Sequence, residues 1–147
     1  MRRALYDLAA LVGRVALGVV FIGHGWAKYQ RGVEATAKGF ADWSIPAPRI
    51  SAYFAIIAEL GGGILLVLGL LTMLAGTALF VLMAGALIFV HAGNGILLAN
   101  SGFELVLALG AVALLLAVAG PGRISLDYLL FGRRREAKSG ASVPQPA

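Results

Sequence analysis

The sequence predicts an all-α, four-helix transmembrane bundle with a short interfacial helix in its first loop, and three observations carry that prediction. Of the 147 residues, 60% are hydrophobic and only 13% charged, and the mean hydropathy is +0.89, a membrane composition and not that of a soluble domain. The apolar residues form long runs, whereas a soluble fold of this size alternates apolar and polar faces along its helices. The run from Leu8 to Ala27, with Arg14 and His24 as its only ionisable groups, has about the ~20 residues that a spanning helix needs.

In chain order, a basic start leads into the first span, about residues 8–27. This stretch is too long, and too interrupted by Arg14, for a removable signal peptide. Loop one runs from Lys28 to Ile50, and within it residues 33–44 place Val33, Ala37, Phe40 and Trp43 on one side at helical spacing and Glu34, Lys38 and Asp42 on another. That pattern predicts a helix lying in the interface plane. Pro46 and Pro48 turn the chain back, while Trp26, Tyr29, Trp43 and Tyr53 supply an aromatic belt, with Lys28 as an interface anchor.

The second span, about 51–71, has one ionisable residue, Glu59. Gly62 and Gly63 lie on the same side as Glu59 and let a neighbouring backbone approach. The apolar run from Ile64 to Val90 is too long for one span, so it breaks near Leu71 to Ala75 and gives a third span, about 73–91, closed by His91. A loop with glycines and asparagines, Asn94 among them, leads to the fourth span, about 103–119. Glu104 sits in its first turn, where a carboxylate suits the positive end of the helix dipole, and Pro121 and Gly122 stop it. Residues 1–132 thus form the membrane domain, and residues 133–147 a basic tail expected to be disordered.

The net charge of +5 gathers near the two ends of the chain, beside membrane segments, so anionic headgroups account for it and nucleic acid is not expected as a partner. More Lys and Arg lie on the side holding both termini, which predicts cytoplasmic termini. The chain has no cysteine, so thiolate metal sites and dithiol chemistry are excluded, and any redox role needs a bound cofactor, a metal on N or O ligands, or a partner.

With this topology His24, Glu59, His91 and Glu104 fall toward the outer half, one from each span. Ionisable groups inside a membrane flag function. Three readings are open: a hydrogen-bonded polar layer that fixes packing, a proton relay serving a bound redox molecule, or a metal site on His24, Glu59, His91 and Glu104. No HxxE or ExxH pair marks a metal. Arg14 lies one and a half to two turns deeper than Glu59, close enough for a guanidinium arm to bridge, so an Arg14–Glu59 pair is expected if both stay charged, the alternative being a Glu59 that is simply protonated. Arg14, His24, Glu59, His91, Asn94 and Glu104 are therefore the candidate polar-layer or ligand-binding residues.

These stretches also carry a resemblance. Arg14, His24, Gly25 and Lys28, then GFADWSIPAP, then AELGGGILLVLGLLT around Glu59, then NSGFELVLALGAVALLLAVAGPGRISLD together resemble the DoxX family of small four-helix membrane proteins. A basic residue often follows the LGLLT turn in that family, and Met73 stands there in this chain. The resemblance implies a prokaryotic plasma-membrane protein. It also implies relatives that act as subunits of thiosulfate:quinone oxidoreductase or join membrane complexes with oxidative-stress enzymes, while animal relatives act as receptor-assembly chaperones. Two function classes are therefore expected. One is a membrane redox subunit binding a quinone-like molecule, with protein partners or further copies of itself beside it in the bilayer. The other is a non-catalytic assembly or scaffolding protein whose polar layer is structural.

Overall fold

In the computed structural model, residues 2–132 are described, and they fold as helices and turns with no strand among them. Five α-helices follow in order: α1 (Arg2–Arg31), α2 (Val33–Asp42), α3 (Pro48–Leu68), α4 (Thr72–Ala86) and α5 (Glu104–Ala119). A π-helical turn, Leu87–His91, continues α4, and another, Tyr128–Gly132, ends the described chain. Three helical stretches are long and apolar enough to cross a membrane: Arg2–Arg31, Pro48–Leu68 and Thr72–Asn94. The fourth apolar helix, Glu104–Ala119, is shorter, at 16 residues.

The boundaries differ from the sequence expectation in ways that have local causes. α1 begins well before residue 8 because its first turns are held from outside: the Tyr6 hydroxyl reaches the carbonyls of Ala119 and Gly120, and the Asp7 carboxylate accepts the Arg123 N–H at 2.9 Å. It ends at Gly32, whose φ of 90° only glycine adopts freely. Pro48 opens α3 instead of merely preceding it, since a first-turn proline sacrifices no helical hydrogen bond. α3 stops three residues short of the expected 71 because Gly69 takes the left-handed conformation at φ 67° and closes the helix end. The expected tail, residues 133–147, lies outside the described residues.

Close helix contact explains the glycines. α1 and α3 run antiparallel, and a Cβ on Gly18 would meet the Gly63 carbonyl at 2.7 Å, just as one on Gly25 would meet the Leu60 nitrogen at 2.6 Å. Small residues are what allow such an approach. Gly62 instead receives Leu79 of α4, and Gly76 lies against Ala113 of α5. α1 thus pairs with α3 and α4 with α5, with α3 against α4 joining the pairs, while α2 folds back over α3. The centre is apolar: Leu17, Phe21, Leu66, Leu79, Met83 and Leu116 form one buried cluster. Most of the large apolar side chains outside it, such as Val12, Val19, Ile57, Ile88 and Val118, are exposed, as lipid-facing residues are.

Candidate functional site

Polar side chains collect at both ends of this apolar core, and the two ends are built differently. At the end where α1 begins, Arg14 is fully buried. Its guanidinium donates to the carbonyl of Leu66 at 3.3 Å and to that of Ile124, which ties α1 to α3 and to the segment after α5. Asp127, from that segment, accepts the backbone N–H groups of Leu71 and Thr72 at 2.8 and 2.9 Å and so caps α4. Its own N–H donates to the Gly69 carbonyl. Space is fully used here, since a Cβ on Gly69 would fall on the Arg14 guanidinium.

At the other end, Lys28 of α1 meets Glu59 of α3. Its ammonium lies 2.8 and 2.7 Å from the two carboxylate oxygens, with Glu59 only 4% exposed and the Lys28 side chain 21%. The expected Arg14–Glu59 pair does not form. Helical side chains lean toward the N-terminus of their own helix. In antiparallel helices Arg14 and Glu59 therefore lean apart, whereas Lys28 and Glu59 lean together. The same rule corrects the anchor role given to Lys28, whose ammonium turns inward to the carboxylate.

Beside this ion pair lies a cavity of about 740 Å³, within the ~300–1,000 Å³ range of ligand sites. Its wall draws on the last turns of α1, on α2, on the start of α3, on the end of α4 with its π turn, and on the start of α5. Phe21, Phe40, Trp43, Phe54 and Phe89 supply aromatic surface, and Lys28, Glu59, Arg31, His24, His91 and Asn94 supply the polar groups apart from hydroxyls. Of the six sequence candidates, four therefore line one cavity: His24, Glu59, His91 and Asn94. Arg14 and Glu104 do not.

The partners narrow what each residue does. His91 Nδ1 lies 2.6 Å from the Ser101 carbonyl, and since a carbonyl can only accept, Nδ1 carries the proton. Asn94 donates to the carbonyls of Val90 and Ser101, and Glu104 accepts the Leu98 N–H at 2.6 Å. All three thereby close the loop between α4 and α5. Among the described residues no three His, Asp or Glu side chains gather as metal ligands. The four-residue metal set is thus not brought together, because Glu59 is neutralised by Lys28 and Glu104 is turned into the loop.

Arg14 and Lys28 are about 21 Å apart along α1 at 1.5 Å per residue, with the apolar core cluster between them. Among the described residues this apolar cluster separates the polar groups of the two ends. Lys28 and Arg31 as cavity residues, and Asp127 as a cap, are the roles that sequence reasoning missed. The lean of helical side chains was the signal available for Lys28.

A family model described as DoxX matches residues 9–92, more than half of the chain. The chain belongs to the DoxX family. The DoxX match takes in Arg14, His24, Lys28, Glu59 and His91, and leaves Asn94 and Glu104 beyond it. The chain is also 38% identical over 71 residues to a Bacillus subtilis (strain 168) protein named "Putative oxidoreductase CatD", an alignment covering 48% of this chain and 51% of that protein. It thus spans about half the length of the curated relative it matches. No solved structure matches.

Proposed function

We propose that this DoxX protein is a membrane subunit of a redox or oxidative-stress system that takes a quinone-like molecule into the cavity beside Lys28 and Glu59. One observation carries the reading: a largely aromatic and aliphatic wall of ligand-site size holds a part-buried ammonium–carboxylate pair. A quinone fits that donor set, since its ring and tail are apolar and its carbonyls accept hydrogen bonds. Lys28 would donate to a ring carbonyl, Glu59 would hold a proton beside it, and Phe54 and Phe89 would keep water from the ring. When bound, a quinone supplies two-electron, two-proton chemistry. The electron donor is then a partner protein, because a chain without cysteine has no dithiol of its own.

In this reading residues 1–132 form the membrane domain, with α5 as a fourth span and α2 lying in the interface near the exposed Trp26, Tyr29, Trp43 and Tyr53. The cavity faces the outer side of a prokaryotic plasma membrane and both termini face the cytoplasm, as the distribution of Lys and Arg favours. The name of the Bacillus relative supports a redox setting.

The test is direct binding. In nanodiscs, decylubiquinone should quench the fluorescence of Trp43, which lines the cavity, in a saturable way, and Lys28→Met should abolish saturation without unfolding the protein. Quenching that stays linear with quinone concentration in the parent protein rejects the reading. A non-catalytic assembly role is favoured by a separate observation: His91, Asn94 and Glu104 direct hydrogen bonds into a loop closure. That role predicts a protein that binds no quinone yet still stabilises a co-purified membrane partner.

A further inference from the structure

The cavity wall carries more positive than negative charge, and the imbalance points to a ligand class. α1 presents His24, Lys28 and Arg31 three and four residues apart in its last two turns, and all three line the cavity. One carboxylate answers them. Glu59 enters the wall, but both of its oxygens already accept from Lys28.

Other acidic groups at this end are engaged elsewhere or stand outside the wall. Glu34 pairs with Arg49 at 2.9 Å between α2 and α3, and Glu104 accepts the Leu98 N–H. Neither these two nor Asp42 lines the cavity. Among the described residues no carboxylate comes within ion-pair distance of Arg31. Apart from the two imidazoles, the wall is left with one positive charge in excess, at an exposed arginine on the rim of an apolar cleft.

A guanidinium in that position presents a planar fork that matches a carboxylate or phosphate, and the low-polarity wall beside it strengthens the attraction. The wall behind it suits hydrocarbon. We infer that the cavity binds an anionic amphiphile, its single acidic group on Arg31 and its apolar body between Phe54 and Phe89. The inference rests on the same cavity as the proposed function and requires no redox chemistry. The acidic group belongs either to a soluble long-chain acid or to an anionic lipid drawn from the bilayer, and both present the same chemistry to Arg31.

The experiment uses the full chain in phosphatidylcholine nanodiscs, with Trp26→Phe so that Trp43 alone reports. The probes are 12-bromododecanoic acid and 12-bromododecanol, alike except for the head group. Saturable quenching by the acid is expected at a concentration lower by about tenfold or more, the least that a charged hydrogen bond contributes. Arg31→Gln should erase the preference by weakening the acid alone, and Arg31→Lys should keep part of it. Arg31 is exposed and makes no ion pair among the described residues, so these variants should fold.

Equal binding of acid and alcohol, or a preference that survives Arg31→Gln, overturns the inference. If decylubiquinone saturates while the acid shows no preference, the inference falls and the quinone reading stands. If the acid binds and decylubiquinone does not, the reverse holds. Displacement of the acid when phosphatidylglycerol is added to the nanodiscs assigns the natural ligand to the bilayer. Retention of the acid assigns it to a soluble pool.

Discussion

Arg14 and Lys28 are two cations of one helix, about four turns apart, and the protein treats them in opposite ways. Arg14 is enclosed, with its bonds made to backbone carbonyls of α3 and of the segment after α5. The glycine that faces it leaves no free space. Lys28 keeps part of its surface, pairs with a side chain and borders a cavity. A buried charge bonded to two backbone carbonyls fixes a geometry, whereas a charge pair beside open volume can also meet a ligand. The contrast separates a structural end of the bundle from one available for chemistry.

The largest expected effect is at the enclosed end. Arg14→Leu takes the guanidinium from the Ile124 carbonyl, leaves the Leu66 carbonyl with the Gly69 N–H alone, and removes the cation beside Asp127, so it should lower stability by on the order of 3 kcal/mol, the scale for breaking a buried charged contact. Unfolding in detergent should register that loss, while ligand affinity per folded molecule stays at the parent value. An Arg14→Leu protein that is as stable as its parent but no longer binds ligand would reverse the assignment of the two ends.

At the cavity end the effect on stability should be smaller and the effect on binding larger. Lys28→Met leaves a nearly buried carboxylate unpaired and should cost about 2 kcal/mol, less than a fully enclosed pair because the cavity can admit water. Adding Glu59→Gln should recover much of that loss. A double-mutant cycle should therefore give a coupling of at least about 1 kcal/mol for Lys28 with Glu59, and less than about 0.5 kcal/mol for Arg14 with Glu59. Strong coupling in the second cycle would mean that the two ends communicate across the core.

Much of this was legible in the sequence, and the reasons that the rest was not are physical. Hydropathy places the apolar stretches because burial in lipid demands them, so the three long apolar helices were anticipated, although α1 begins six residues earlier than expected. Glu59 was flagged as a buried charge and is one. Its partner was misassigned because the depth itself was misjudged: Glu59 lies level with Gly25, ~16 Å along α1 from Arg14 but only ~4.5 Å from Lys28, and the lean of the two side chains closes that shorter gap. The cavity was out of reach for a different reason. Its wall comes from five helices and depends on how α2 folds back over α3, which neither composition nor spacing encodes. Asp127 was also missed, because a cap contributed from 55 residues away leaves no local pattern around Thr72.

That distant cap provides the smallest effect and the sharpest test of the enclosed end. α4 starts at Thr72 directly after Leu71, which sits at φ 48°, and no side chain near in sequence caps it. Of its first amides, that of Thr72 would be left unsatisfied in a fully buried residue, while Leu71 is exposed. The Asp127 carboxylate supplies both acceptors, one oxygen to Leu71 N–H and the other to Thr72 N–H, and places negative charge at the positive end of the α4 dipole. Asp127→Ala should therefore cost about 1 kcal/mol, the usual scale for a lost helix cap, and Asp127→Asn, which keeps one acceptor, should cost less. Amide hydrogen exchange should speed up at Leu71 and Thr72, while the amides lining the cavity around Glu59 stay as protected as in the parent. Faster exchange around Glu59 would show that the strap after α5 holds both ends of the bundle, and the division between an enclosed end and an open one would have to be abandoned.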